Sequence, residues 1–392
     1  MHPAVDDSSE ARDLTSEQPG RKYYPRLDSI RAVCALGLIF YHWGTIQFGW
    51  IGVEVFFVLS GLLITESLLK TKAGNPTLRN YLVYFFEKRA LRLFPLYYGF
   101  LIIMGILYLL FNWPAGFGAD APYLFTYTLN FIRMVPGHPL SEPYSHLWSL
   151  GVEWQFYLLW PFFVWKLSEK SLVRLSIALI IITPLLRCVT LLAASLIQVT
   201  PVAIAHICYM AGWSHWDALA MGALLTRPEI RAWIATRRVS ATIVTLFILG
   251  GMFVIHQGPH VHTETLGYPI FLSFSHEAIW GYTLIDLLAA CFIVQTATQS
   301  WVATVTGLKW LQYLGKISYG IYVYHYPLVL LGVEWLGHTS KVSVEGVAIL
   351  IFIIAADIGI AHLSYQYYES WFLRKKAALS TAPRPGAGPS LA

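Results

Sequence analysis

Ten apolar stretches, each long enough to span or nearly span a bilayer, divide this chain. They cover approximately residues 27–46, 50–69, 90–111, 146–166, 172–197, 205–226, 239–256, 278–298, 317–336 and 344–372. In hydrocarbon a segment must satisfy its own backbone hydrogen bonds, and stretches of this length do so as helices. The expected fold is therefore all-α, a polytopic membrane protein of about ten transmembrane helices. Charged residues make up 12% of the 392-residue chain, about half the usual share of a soluble domain. The net charge of +5 is too modest to imply a nucleic-acid partner. Cys34, Cys188, Cys208 and Cys291 all fall in apolar segments without CxxC spacing, so neither a disulfide scaffold nor a metal site is expected.

The basic residues give the map a direction. With both termini inside, nearly all of the 27 Lys and Arg fall in cytoplasmic loops and tails. Only Arg133 and Lys341 lie on the outer side, and only Arg31 and Arg187 lie within spans. This predicts an N-in, C-in, multi-pass protein of the bacterial inner membrane. Residues 1–21 are polar and lack an apolar signal core, and residues 375–392 end rich in Pro, Gly and Ser. Both read as disordered cytoplasmic tails around a transmembrane domain at 22–374. The stretch YLFTYTLNF, between the third and fourth spans, reads as re-entrant or interfacial.

Several spans carry side chains that a bilayer penalises, and such groups are functional candidates. Arg31 and His42 stand eleven residues apart, about 20° past three helical turns, so they share a face ~16 Å apart along the axis. The second span holds Glu54 and Ser60 between Gly52 and Gly61, glycines that suit close helix packing. The loop after it carries Lys88, Arg89 and Arg92, and the forked guanidiniums of Arg89 and Arg92 share a helix face suited to phosphate. Glu153 lies in the fourth span near Trp148, and Trp148, Trp154, Tyr157 and Trp160 suit interface packing. His215 and Asp217 lie in the sixth span, and Tyr319, Tyr322 and His325 in the ninth. His256, His260, His262 and His276 belong to an outer loop and read as solvated.

Six motifs resemble the acyltransferase-3 family of integral-membrane acyltransferases. They are RLDSIRAVCALGLIFYH, GVEVFFVLSGLLIT, FEKRALRLFPLYY, HLWSLGVEWQFYLLWP, DALAMGALL and LGKISYGIYVYHYP, in the family's order across about residues 22–374. The resemblance implies transfer of an acyl group, usually acetyl from acetyl-CoA, onto a hydroxyl of a surface glycan or another acceptor. The family's Arg-x10-His pattern falls on Arg31 and His42, its Arg-x-x-Arg pattern on Arg89 and Arg92, and its Trp-Ser-Leu glutamate on Glu153. Two positions depart from the pattern. Glu54 stands where the family often has Asp, and His215 where it often has Arg. The SGNH hydrolase-like domain of some members is not expected here.

The expected mechanism has His42 as general base for the acceptor hydroxyl. Glu153 or Asp217 orients the imidazole. Arg89 and Arg92 hold CoA phosphates, and Arg31 holds the pantetheine–thioester region or stabilises the oxyanion. Trp148, Asp217, Tyr322 and His325 are expected to bind substrate. The donor lies on the cytoplasmic side and His42 in the outer half, so the acyl group arrives either on a deep pantetheine arm or through a covalent relay. The expected acceptor is exopolysaccharide, lipopolysaccharide or a lipid-linked sugar. The competing readings are a small-molecule acceptor and an exporter whose polar residues line a translocation path. Sequence fixes neither the acceptor nor the oligomeric state.

Overall fold

The computed structural model describes residues 25–138, 142–197, 199–257, 263–271, 276–298 and 306–381, and no strand occurs among them. The first half contains α1 (Pro25–Trp43), α2 (Gly52–Ala73), α3 (Leu78–Phe111), α4 (Phe117–Phe125), α5 (Leu129–Arg133), α6 (Trp148–Lys166), α7 (Glu169–Ser195) and α8 (Pro201–Met210). The second half contains α9 (Trp216–Leu224), α10 (Pro228–Ala235), α11 (Arg237–Gln257), α12 (Glu277–Thr298), α13 (Lys309–Lys316), α14 (Ser318–Leu336), α15 (Val344–Leu363) and α16 (Ser370–Thr381). A π-helical turn over Ser364–Glu369 joins the last two.

Among the described residues, six helical stretches are long and apolar enough to cross a membrane: Gly49–Ala73, Leu78–Phe111, Glu169–Ser195, Arg237–Gln257, Glu277–Ala297 and Val344–Lys376. Of the four other apolar segments, α1, α6 and α14 are each single helices of 19 residues. The segment expected as a continuous span at 205–226 is broken. There α8 ends at Met210 and a 3-10 turn over Gly212–His215 leads into α9. The expected C-terminal tail from 375 begins inside α16, which runs to Thr381, while 1–21 and 382–392 lie outside the described residues.

Local signals account for the helix ends. Thr77, Ser168, Thr200 and Ser343 sit at N-caps, and their hydroxyls accept from Asn80, Ser171, Ala203 and Gly346 backbone N–H groups. The ammonium of Lys72 donates to the Val164 and Leu167 carbonyls, each at 2.8 Å, closing the C-terminus of α6. YLFTYTLNF forms α4, α5 and a turn between them. Tyr127 takes φ +57° there, and its carbonyl sits where a Cβ on Gly151 of α6 would come within 2.7 Å. Only glycine permits that approach.

The helices sort by burial. α2 and α12 form the interior, whereas α3, α7, α11 and α15 turn long apolar side chains outward, among them Leu109, Leu185, Leu192, Met252 and Ile351. An outward apolar surface suits lipid. α2 crosses α9 at backbone contact: a Cβ on Gly61 would lie 2.0 Å from the Leu219 carbonyl oxygen, and one on Gly222 2.0 Å from that of Val58. The expectation of small-residue packing at Gly61 is met there. α1 lies between α2, α13 and α14. Its N-terminal end meets the basic helix α13, and its C-terminal end meets Lys341 through the Trp43 indole, at 3.4 Å from the Lys341 carbonyl.

Candidate active site

α1 is unbroken from Pro25 to Trp43, so Arg31 and His42 stay ~16 Å apart along its axis. Arg31 pairs with Asp28 at 2.5 Å, one turn away, and is about a quarter exposed. Its guanidinium is thus engaged by Asp28 at the end of α1 away from His42.

His42 meets α14 instead. Its Nδ1 lies 3.0 Å from His325 Nε2, and the two rings stack with centroids 5.1 Å apart. His325 Nδ1 is 2.7 Å from the Tyr322 carbonyl oxygen. A carbonyl only accepts, so in the neutral ring the proton is on Nδ1 and Nε2 keeps its lone pair. His42 must then donate from Nδ1, which leaves its Nε2 lone pair without a protein partner among the described residues. One backbone carbonyl thus sets the tautomers of two imidazoles in series.

A third histidine completes the group. His146 Nε2 donates to the Val323 carbonyl at 3.2 Å, and its ring lies 5.0 Å from that of His325. Tyr322 donates to the His146 carbonyl at 2.6 Å and bonds Ser149 Oγ at 2.5 Å. The Tyr326 ring packs on His42 at 4.6 Å and on His146 at 5.4 Å. His146 and Tyr326 were not singled out as site residues in the sequence. The available signal was their adjacency to Trp148 and His325 in two of the motifs.

Glu153 is placed elsewhere, one stage toward the basic end. It accepts from Ser60 and Tyr157 hydroxyls and stands within electrostatic reach of Tyr319 and Tyr322. Tyr157, expected only to pack, is thus a partner of the carboxylate. The Arg89 guanidinium lies 5.7 Å from the Tyr157 and Phe85 ring centroids. Arg92 reaches the Lys316 carbonyl at 3.5 Å, and Tyr319 donates to the Leu93 carbonyl at 2.9 Å. Arg89, Tyr157, Glu153, Tyr322, His146, His325 and His42 therefore form a polar line through the bundle.

Asp217 does not join it. Arg187 grips both carboxylate oxygens at 2.7 and 2.8 Å, Thr283 donates to Oδ2 at 2.7 Å, and the Ala218 N–H donates to Oδ1 at 3.1 Å. Both residues are fully buried. Among the described residues His42 is bonded by His325, and by neither Glu153 nor Asp217. Trp148, also expected at the substrate, packs instead on Tyr209, His215 and Phe57. The two departures from the family pattern meet one another: His215 Nδ1 lies 3.1 Å from Glu54 Oε1, and His215 Nε2 donates to the Tyr209 carbonyl at 2.8 Å. Of the outer-loop histidines, His260 and His262 lie outside the described residues, and no group of three or more His, Cys, Asp or Glu able to hold a metal occurs among the described ones.

A family model for the acyltransferase domain, acyltransferase-3, matches residues 24–362. The chain belongs to this family. It is 29% identical over 384 residues to the peptidoglycan O-acetyltransferase OatA of Listeria monocytogenes, covering 89% of this chain and 56% of that one. It is 26% identical over 382 residues to the O-acetyltransferase OatA of Staphylococcus aureus, covering 91% and 58%. The chain thus spans just over half the length of these relatives. No solved structure matches it. Within the acyltransferase-3 domain, His42 of the Arg-x10-His pattern, Arg89 of the Arg-x-x-Arg pattern and the Trp-Ser-Leu-associated Glu153 lie on the polar line, while Arg31 pairs with Asp28 and Asp217 is held in the separate ion pair.

Proposed function

We propose that this protein transfers an acetyl group from acetyl-CoA to a hydroxyl of a cell-surface glycan, with His42 Nε2 as general base. The observation that carries this is the Tyr322 carbonyl–His325–His42 chain, which presents a lone pair at Nε2. His42 takes the hydroxyl proton as the acceptor oxygen attacks the thioester carbonyl carbon. The C–S bond breaks, and the proton held on Nε2 passes to the departing thiolate. Base catalysis of this kind contributes ~10²–10⁴-fold.

Arg89 and Arg92 bind the donor phosphates, and Arg31 binds along the donor's arm at the same end of the bundle. The donor's residues fit: two guanidiniums one helical turn apart, on α3, beside the basic helix α13. The polar groups from Arg89 through Tyr157 to Glu153 favour a direct route for the pantetheine arm over a covalent relay. Glu153 lines that route with Tyr157 and Ser60. Trp148 and Asp217 support it from behind, and Tyr322 and His325 border the acceptor. We further assign ten membrane helices with both termini in the cytoplasm, in the bacterial plasma membrane. Arg26, Lys316 and Arg92 gather at the N-terminal end of α1, and Lys341 at its C-terminal end, as that topology requires. The OatA relatives make a peptidoglycan sugar the acceptor of first choice.

The test is acetyl transfer by the purified protein from acetyl-CoA to chitotetraose, a neutral oligosaccharide of N-acetylglucosamine. The expected result is release of free CoA together with an oligosaccharide heavier by one acetyl group. Release of CoA at the same rate without saccharide, and no acetylated product, contradicts it.

A further inference from the structure

The segment between α3 and α6 holds charged groups that this mechanism does not use. We propose that Arg133 and His146 form an acceptor subsite beside His42, built for the hydroxyl and acetamido groups of a neutral sugar. This deepens the acyl-transfer reading and rests on it.

Arg133 ends α5 with its side chain 1% exposed. Its Nη2 donates to Ser145 Oγ at 2.9 Å and lies 3.7 Å from Asp120 Oδ2. Its Nε and Nη1 have no hydrogen-bond partner among the described residues. Leaving a buried N–H unmet costs roughly 1–3 kcal/mol, and more on a charged group. Ser145 is followed directly by His146, itself 5% exposed, whose Nε2 is taken by the Val323 carbonyl and whose Nδ1 has no partner. These two neighbouring residues therefore offer two unmet donors and one unmet acceptor among the described residues.

Tyr326 ties His146 to the reacting base. It is in ring contact with both His146 and His42. A group held at His146 therefore lies one ring away from His42.

Charge decides the class of ligand. The Arg133 guanidinium is already balanced by Asp120, which also receives the Tyr144 hydroxyl at 3.0 Å and faces His138 Nε2 at 2.9 Å. Glu142 adds a second carboxylate within electrostatic reach. With Asp120 already opposite Arg133, an added anion finds no unpaired positive charge there, whereas an uncharged oxygen can accept from Arg133 without displacing Asp120. A sugar hydroxyl can both accept from Arg133 and donate to His146 Nδ1. An acetamido carbonyl can take the second Arg133 N–H.

The test measures chitotetraose binding to the purified full chain in detergent micelles, with CoA binding as a parallel arm. Arg133→Lys keeps the charge opposite Asp120 and removes the fork, and His146→Phe keeps a ring and removes Nδ1. Each should weaken chitotetraose binding about tenfold or more while CoA affinity stays within about twofold. The anionic tetragalacturonate should bind wild type more weakly than chitotetraose does. The proposal is overturned if wild type does not bind chitotetraose, if both variants bind it as wild type does, if CoA affinity falls in parallel, or if tetragalacturonate binds more tightly. If one variant does not fold, the other decides. Saccharide binding without acetyl transfer sinks the transfer reading and keeps the subsite; transfer without measurable saccharide binding does the reverse.

Discussion

Around Asp217 every polar atom of the ion pair has a protein partner; around His42 and His146 two imidazole nitrogens do not. Arg187 uses all of its nitrogens, on Asp217, Thr283 and the Ser214 and Ile279 carbonyls. In the histidine cluster carbonyls hold one side of His325 and of His146, His325 holds His42, and His42 Nε2 and His146 Nδ1 are left without a partner among the described residues. Both are costly groups inside an apolar bundle. The first locks α7, α9 and α12 together, although the nearby Asp286 carboxylate of α12 has no hydrogen-bond partner among the described residues. The second is fixed in tautomer and leaves a lone pair on His42 Nε2, as the proposed base needs. Completeness of hydrogen bonding thus distinguishes the Arg187–Asp217 pair from the histidine cluster.

The comparison breaks if the two clusters respond alike to substitution. The largest effect should come from Arg187→Met, which strands Asp217 as an uncompensated buried charge. It should cost about 3–5 kcal/mol, read as a large fall in thermal unfolding temperature or loss of folded protein. A fully stable Arg187→Met protein would remove the distinction. His325→Phe should leave the unfolding temperature nearly unchanged and lower kcat ~10²-fold with donor KM unaltered. Glutamine at the same position, whose amide oxygen can accept from His42 Nδ1, should recover part of the loss. If His325→Phe raises donor KM instead of lowering kcat, His325 binds substrate and does not position the base. A smaller effect should follow Arg89→Gln, a rise in acetyl-CoA KM of about tenfold with acceptor KM unmoved. An equal shift in both would take Arg89 out of donor binding.

The sequence carried the helical character, the shared face of Arg31 and His42, the Arg89–Arg92 fork and the glycine crossing at Gly61. Each of these depends on spacing within one helix or on hydropathy. Contacts between distant helices were not legible. His42 and His325 are 283 residues apart, and no local pattern joins them. For the same reason Glu153 and Asp217 were weighed as orienting groups, though one is held by Ser60 and Tyr157 and the other by Arg187. The break between α8 and α9 was hidden because its Gly-Trp-Ser-His turn lies inside an apolar run. The departures at Glu54 and His215 looked independent in one dimension. In three they are one contact, in which a longer carboxylate chain meets a shorter base where the family pattern often has a shorter acid and a longer base.

The central claim is that His42 supplies the base while the donor is bound elsewhere. Acetyl transfer and CoA binding measured side by side on His42→Ala test it most directly. Transfer should fall by ~10²-fold or more with CoA affinity unchanged. Near-normal transfer, or CoA affinity lost in step with transfer, would contradict the account.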